Sequence, residues 1–399
     1  MQDEIPAGSM TPIESATPPD TPAAPAFPEA YPFRFTGTTG GFFSIWIVNL
    51  FLTIITLGIY SPWAKVRKKR YFYGHTWVAD ANFEYHGNPI AILKGRIIAV
   101  AAFASYSAVG HFMPQIAAIL ALVLFAAAPW FIARSMAFNA FNSSYRNIRF
   151  RFHATYVDVL KAIWPIALVL VFSIFLPEID PSGKVAPPTL FWIVIVLQML
   201  AMIAAYPYAI GALKKLHVNH SQYGAAPFSI DVSIGAFYKI YLLTMLLGFG
   251  AVVVAGIVAA VFTGIAAVAG KAAAAIMAFL MVVLIVVAYF GIGALLLAYT
   301  KSRIGNLVFN NTSLDRKVSF ASNLKLGPLT KMYLTNFVAI LFSFGLAIPW
   351  AVIRVTRYRA ECLSLQSAIP QDEFIGGVNA QVSATGEELG EFFNIDMSL

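Results

Sequence analysis

The chain has 399 residues, 59% hydrophobic and only 12% charged, with a formal net charge of +8 and a mean hydropathy of +0.73. Soluble domains carry about 25% charged residues, so a water-soluble globule is excluded and lipid must be the solvent for most of the chain. A single cysteine, Cys362, excludes an intramolecular disulfide and a multi-thiolate metal site within one chain.

Residues 1–31 are Pro-rich and hold five acids and no base. With neither a basic start nor an apolar run, they are expected to form a disordered acidic tail rather than a secretory leader. The membrane domain is assigned to residues 32–362. It opens on an alternating aromatic segment, PFRFTGTTG (32–40), and a first apolar run from Phe42 to about residue 63. A basic stretch follows, then a small polar cluster, YGHT (73–76), and a second aromatic segment, NFEYHG (82–87). The same order recurs at NSS (142–144) with RFRFHAT (149–155), at NHSQ (219–222) with PFSIDV (227–232), and at NNTS (310–313) with VSFASN (318–323). Alternation over about six residues, rich in aromatics, predicts short strands and hence small β-hairpins at each junction. Residues 90–133, 156–213 and 233–300 lie between junctions, and each is long enough for an out-and-back helical pair. A last apolar run covers about 329–350, and residues 363–399 form a second acidic tail with six acids and no base.

Of the 27 Lys and Arg, only Lys184 and Lys271 lie in the connections opposite the junctions. The positive-inside bias therefore puts every junction, and both tails, in the cytoplasm. The fold class that follows is an all-α polytopic membrane protein with β-hairpins at its cytoplasmic junctions. It has three long helical hairpins, six spanning helices in all, plus two short terminal elements.

Those two elements are related. Residues 40–71 align without gaps on 327–358, an offset of 287, with nine identities: Gly40, Asn49, Gly58, Pro62, Trp63, Ala64, Arg67, Arg70 and Tyr71 fall on Gly327, Asn336, Gly345, Pro349, Trp350, Ala351, Arg354, Arg357 and Tyr358. This is an internal repeat. Each element has a junction on both sides yet only about 20 helical residues, enough for one crossing of about 30 Å. Two arrangements fit: full spans, giving eight, or re-entrant pairs, giving six. The re-entrant form is preferred, with Asn49 and Asn336 as candidate turns.

The motifs GIYSPWAKVRKKRYFYGHT, NFEYHG, PWAVIRVTRYRAE and GEELGEFFNIDMSL resemble those of the YjgN family of bacterial inner-membrane proteins, over about residues 33–399. The resemblance implies a polytopic inner-membrane protein. It implies no substrate and no catalytic residue.

The residues point to binding rather than catalysis. No nucleophile elbow, zinc-protease helix or phosphate loop occurs, and no carboxylate pair falls at membrane depth, so an enzyme is not expected. Five of the six histidines sit at junctions without a ligand frame, and no metal or cofactor is expected. Lys65, Arg67, Lys68, Lys69, Arg70, Arg354, Arg357 and Arg359 are candidate contacts for anionic headgroups, and Trp63 and Trp350 candidate interfacial anchors. The expected partners are membrane lipids, not nucleic acid; no protein partner is indicated. Two functions follow: a transport- or channel-like protein for a small solute or lipid, or a non-enzymatic scaffold with a basic cytoplasmic face.

Overall fold

The computed structural model describes residues 29–174, 189–268, 270–370 and 373–380. Residues 1–28, the connection holding Lys184 and the GEELGEFFNIDMSL motif lie outside the described residues.

The aromatic segments pair as expected within each junction: β3 (Thr76–Val78) with β4 (Ala81–Tyr85), β5 (Ser143–Tyr145) with β6 (Ile148–Phe152), β7 (Ser221–Tyr223) with β8 (Ala226–Ile230), and β9 (Thr312–Leu314) with β10 (Val318–Ser322). Their tight turns run through positive φ at Ala79 and Asp80, Arg146 and Asn147, Gly224, and Asp315 and Arg316. That geometry matches the twist of the strands it joins.

The hairpins are not separate. Each second strand also pairs, antiparallel, with the first strand of the next junction, so all join in one sheet. Strands β1 (Glu29–Pro32) and β2 (Arg34–Phe35) are parted only by Phe33, yet β1 pairs β11 (Leu363–Ser367) and β2 pairs β3. The two sheet edges are thus one segment, and the 11 strands close into a barrel. The fifth hairpin is split between the two ends of the chain. Five equivalent backbone bonds run round the ring: Thr36 N to His75 O at 2.9 Å, His86 N to Asn142 O at 2.8 Å, His153 N to His220 O at 3.0 Å, Asp231 N to Asn311 O at 3.2 Å and Asn323 N to Cys362 O at 2.9 Å.

This corrects two expectations. The protein is mostly helical but not all-α, since its hairpins join in one barrel, and closure removes the free edges that separate hairpins would leave unpaired. Residues 29–31 and 363–367 are barrel strands rather than tail, and a short helix, α11 (residues 373–380), packs Phe374, Ile375 and Val378 into the barrel core.

Each gap between hairpins carries a helical pair: α1 (Thr39–Ile55) and α2 (Ser61–Gly74), α3 (Pro89–Phe112) and α4 (Pro114–Phe141), α5 (Tyr156–Ile174) and α6 (Thr189–Asn219), α7 (Ile234–Val268) and α8 (Lys271–Asn310), α9 (Leu326–Phe342) and α10 (Ile348–Glu361). Helices leave the barrel through side-chain caps: Thr38 accepts from Gly41 N at 3.2 Å and Asn88 from Ile90 N at 2.9 Å, while Thr155 and Asp158 bond each other. Among the described residues, α3, the Ile116–Phe141 part of α4, α6, α7 and α8 are long and apolar enough to cross a membrane. Their outer faces carry exposed Leu, Val, Ile and Phe.

The α1/α2 and α9/α10 pairs are short and return to the barrel. Tyr71 Oη accepts from Thr38 N at 2.8 Å, and Tyr358 Oη accepts from Lys325 N at 3.1 Å, joining the two ends of each pair. Asn49 and Asn336 do not form the turns; both are buried in mid-helix. The turns lie at Leu57–Gly58 and Phe344–Gly345, which have positive φ. Both close on themselves, through Gly58 N to Thr53 O at 2.7 Å and Gly345 N to Ile340 O at 2.8 Å.

The duplicated Pro-Trp motif is also present, in altered form, in the other pairs. Pro62, Pro129, Pro207, Ala298 and Pro349 each stand 14 residues before the first residue of the next strand, followed by Trp63, Trp130, Tyr208, Tyr299 and Trp350. Four residues after each aromatic come Arg67, Arg134, Ala212, Arg303 and Arg354. The residue just before that position is buried in α2, α6, α8 and α10, as Val66, Gly211, Ser302 and Ile353. In α6 it is Gly211, where an added Cβ would meet the Phe237 ring at 2.8 Å. Phe237 is fully buried and has nowhere to move. Gly211→Val is therefore expected to part α6 from α7 and to lower stability by about 1–3 kcal/mol, read as a reduced thermal midpoint in detergent.

Candidate functional site

Strand alternation turns one side chain in two inward. In the longer strand of each hairpin the same position is phenylalanine: Phe33, Phe83, Phe150, Phe228 and Phe320. These five line the barrel interior. Phe33 and Phe83, Phe150 and Phe228, and Phe228 and Phe320 stack at 6.3 Å between centroids. On the far side of this aromatic ring, α11 packs against Tyr145, Tyr223, Leu314 and Val318. The barrel is thus closed at that end.

Towards the helices comes a layer of small hydroxyls, Thr76, Ser143, Ser221 and Thr312, with Leu363 as the fifth member. Each hydroxyl donates back to a helix carbonyl four residues earlier, as Thr76 to Phe72 O at 2.8 Å and Thr312 to Val308 O at 2.7 Å. Their role is to end the helix. The barrel lumen continues past them into a chamber walled by α2, α4, α6, α7, α8 and α10, and lumen and chamber together enclose about 1310 Å³. Its polar lining includes Asn139, His217, Lys214, Lys301, Thr356 and Arg359. A second cavity of about 1010 Å³, almost wholly apolar, runs between α7/α8 and α9/α10. The two share Leu296, Leu297, Thr356 and Arg359, so these residues stand on the wall of both and the groove adjoins the chamber at Arg359.

Lys214 lies within electrostatic reach of Lys301 and Arg359. Among the described residues no carboxylate pairs with any of the three; the ion pairs stand at hairpins and helix starts, as Lys317 with Asp315 at 3.0 Å and His220 with Asp158 at 3.6 Å. Lys214, Lys301 and Arg359 are all exposed, and all three line the cavity.

The residues singled out from the sequence divide. Arg359 reaches the chamber. Arg67 bonds Asn49 at 3.4 Å and Tyr60 at 3.2 Å, and Arg354 bonds Asn336 at 3.4 Å and Thr335 at 2.6 Å. Arg357 donates to Gly37 O at 3.0 Å. Lys69 donates to Asn139 and lies 4.5 Å from the Tyr85 ring centroid, and Lys68 lies 6.0 Å from that of Phe72. Lys65 and Arg70 are exposed. Trp63 stacks on Tyr60, and Trp350 lies under Arg354. By type and place in the chain, Lys214 and Lys301 read only as cations on the junction side. Their depth was the available signal: they lie 7 and 11 residues before their strands, well inside α6 and α8.

Inside the barrel, Tyr223 donates to Tyr145 O at 3.0 Å. Burial, with Tyr145 beside it, raises its phenol above the ordinary tyrosine range. A raised folded pKa means the unfolded chain loses its proton first, so stability falls as pH climbs past about 10. Tyr223→Phe is expected to flatten that alkaline loss, measured as thermal midpoint between pH 9 and 12.

The model of the bacterial proteins of unknown function DUF898 matches residues 30–392. The inner membrane protein YjgN of Salmonella typhimurium (strain LT2) is 27% identical over 356 residues, covering 83% of this chain and 87% of that protein. The YjgN proteins of Escherichia coli O157:H7 and K12 are 33% and 31% identical over 144 and 147 residues, about 35% of each chain. No solved structure matches. A family match that spans both ends of the barrel and every helical pair between them makes this chain a member of the DUF898, or YjgN, family of bacterial membrane proteins.

Proposed function

We propose that the protein is a non-enzymatic, transport-like protein of the inner membrane, which takes a small solute or lipid into the chamber above its barrel. The observation that carries this reading is the shared lining of chamber and groove. The Phe ring and α11 close the barrel, whereas the groove leads outward between two helical pairs. Entry is therefore lateral, from the helix layer.

The topology belongs to the same proposal. Six helices span, both tails and the barrel are cytoplasmic, and α1/α2 and α9/α10 dip into the lipid and return. In support, the helices α1 and α9 have 17 residues each, about 25 Å. Leu57 and Phe344 at the turns are 93% and 97% exposed, apolar tips on turns whose backbone bonds are made internally. The backbone donors from Leu57 to Ser61 and from Phe344 to Ile348 are all bonded within the turns, which lowers the cost of placing them in lipid. Trp63 and Trp350 then stand near the tips, deeper than interfacial anchors would.

Purified protein in vesicles is expected to speed the flip of a fluorescent short-chain phospholipid, or the efflux of a small trapped dye, over protein-free vesicles. Equal rates for both probes would overturn the reading. The scaffold alternative draws on the cations that edge the exposed hairpins, Arg34, Arg316 and Lys317. It is tested by reversing those three charges and comparing the proteins that co-purify.

A further inference from the structure

We infer that the occupant of the chamber is an anionic phospholipid, its phosphate held between Lys214, Lys301 and Arg359 and an acyl chain lying in the groove between α7/α8 and α9/α10. This rests on the proposed reading of the same chamber and names its ligand class.

The charge argument comes first. Lys214, Lys301 and Arg359 are exposed side chains on one cavity wall, and like charges gathered within electrostatic reach repel one another, so an anion bound among them is favoured. Here three line one cavity with no carboxylate partner among the described residues. The missing negative charge arrives with the ligand. Arg359 suits a phosphate, because its guanidinium presents paired donors to oxygen pairs, while the two lysines act as point charges.

The shape argument separates a lipid from a free anion. Small-molecule sites commonly enclose about 300–1,000 Å³. The chamber and barrel lumen together enclose about 1310 Å³, and the groove beside them about 1010 Å³. Gly248, Val252, Ile285, Phe337 and Ile340 line the groove, whose exposed lining is mostly apolar, with Tyr289, Tyr333, Asn336, Thr356 and Arg359 as its polar members. A ligand charged at one end and apolar along the other satisfies both cavities at once. Arg359, on the wall of both, marks where head and chain would meet. A zwitterionic lipid brings no net negative charge to three cations, so the site should prefer an anionic headgroup.

The test uses the full chain, delipidated in neutral detergent and titrated with dioleoyl phosphatidylglycerol and phosphatidylcholine under native mass spectrometry. The wild type is expected to favour the anionic lipid at least 10-fold. Lys214→Gln/Lys301→Gln/Arg359→Gln should erase that preference. It should also raise the delipidated thermal midpoint, because mutual repulsion is relieved, while abolishing the further rise that phosphatidylglycerol gives. A purely structural role for the cations would lower the midpoint instead. Gly293→Phe fills the groove from a position where an added Cβ meets nothing within 4 Å; it should weaken both lipids several-fold. Should the triple variant aggregate, Lys301→Gln alone is expected to lose about threefold. Unchanged phosphatidylglycerol preference in the charge variants overturns the inference. So does displacement of the lipid by 10 mM inorganic phosphate with Gly293→Phe binding as wild type, which would make the chamber a free-anion site. Phosphatidylglycerol preference without any flip or efflux removes the transport reading alone; flip or efflux without the preference removes only this inference.

Discussion

A chain that begins at Gly37 is expected to lose its barrel, not merely its N-terminus. The segment it lacks is bonded on both sides, to β11 through Tyr31 and Leu365 and to β3 through Arg34 and Trp77. It also supplies one member of the aromatic ring, Phe33, and the buried Phe35. Burying a phenylalanine contributes about 1.5–3 kcal/mol, so two of them and a ladder approach the 5–15 kcal/mol of a typical domain. Removal would also leave β3 and β11 with open edges, which invite pairing between molecules. The expected result is aggregation in size-exclusion chromatography and a thermal midpoint below that of every single substitution named above. A cross-link gives a second measurement. With Cys362→Ser, the pair Tyr31→Cys and Leu365→Cys should form a disulfide under mild oxidation. Fragments cut at a protease site introduced after Gly270 should then stay joined until reduced. A truncated chain with the wild-type midpoint would refute the closed ring.

The reason this ring escaped the sequence lies in where its members stand. Alternation in NFEYHG or RFRFHAT is local and predicted the hairpins correctly, because period two is set by the strand itself. Pairing of Phe83 with Tyr145, or Phe150 with Tyr223, joins residues more than 60 positions apart, and no local pattern encodes it. The fifth hairpin is harder still, since its halves are the two ends of the chain. The Pro-Trp repeat was legible between α2 and α10, where the lengths match and the residues are the same. In α6 and α8 its copies are blurred by Ala212 in place of arginine and Ala298 in place of proline. The turns were misplaced for a different reason. A polar residue in an apolar run reads as a break, and Asn49 and Asn336 are such residues. The actual turn needs a residue at home in positive φ, and Gly58 and Gly345, already among the nine identities, supply it. The chamber was not legible at all, because Lys214, Lys301 and Arg359 come from three helices that only the barrel brings together.

Asn336→Leu is expected to destabilise the α9/α10 pair by about 2–3 kcal/mol, although leucine has nearly the same shape and the segment is apolar. The buried amide donates to Ala351 O at 3.4 Å and accepts from Arg354 at 3.4 Å. Asn49 does the same with Ala64 O and Arg67 at the other end of the chain, so one clip explains why two asparagines and two arginines share the 287-residue offset. Hydrogen bonds to a charged group contribute about 1.5–3 kcal/mol each, more than neutral ones. Leucine would strand the guanidinium of Arg354 beside Thr335 and the Trp350 ring. Asn336→Asp keeps the acceptor for Arg354 but not the donor to Ala351, and should cost about half as much. The decisive measurement is a double-mutant cycle of Asn336→Ala with Arg354→Met. A clip gives a coupling of about 1–2 kcal/mol, as for groups in direct contact. If Arg354 instead served a lipid headgroup, its substitution would reduce lipid retention, Asn336→Ala would not, and the two stability losses would simply add. The same cycle at Asn49 and Arg67 should return a similar coupling, because the repeat has copied the contact and not only the residues.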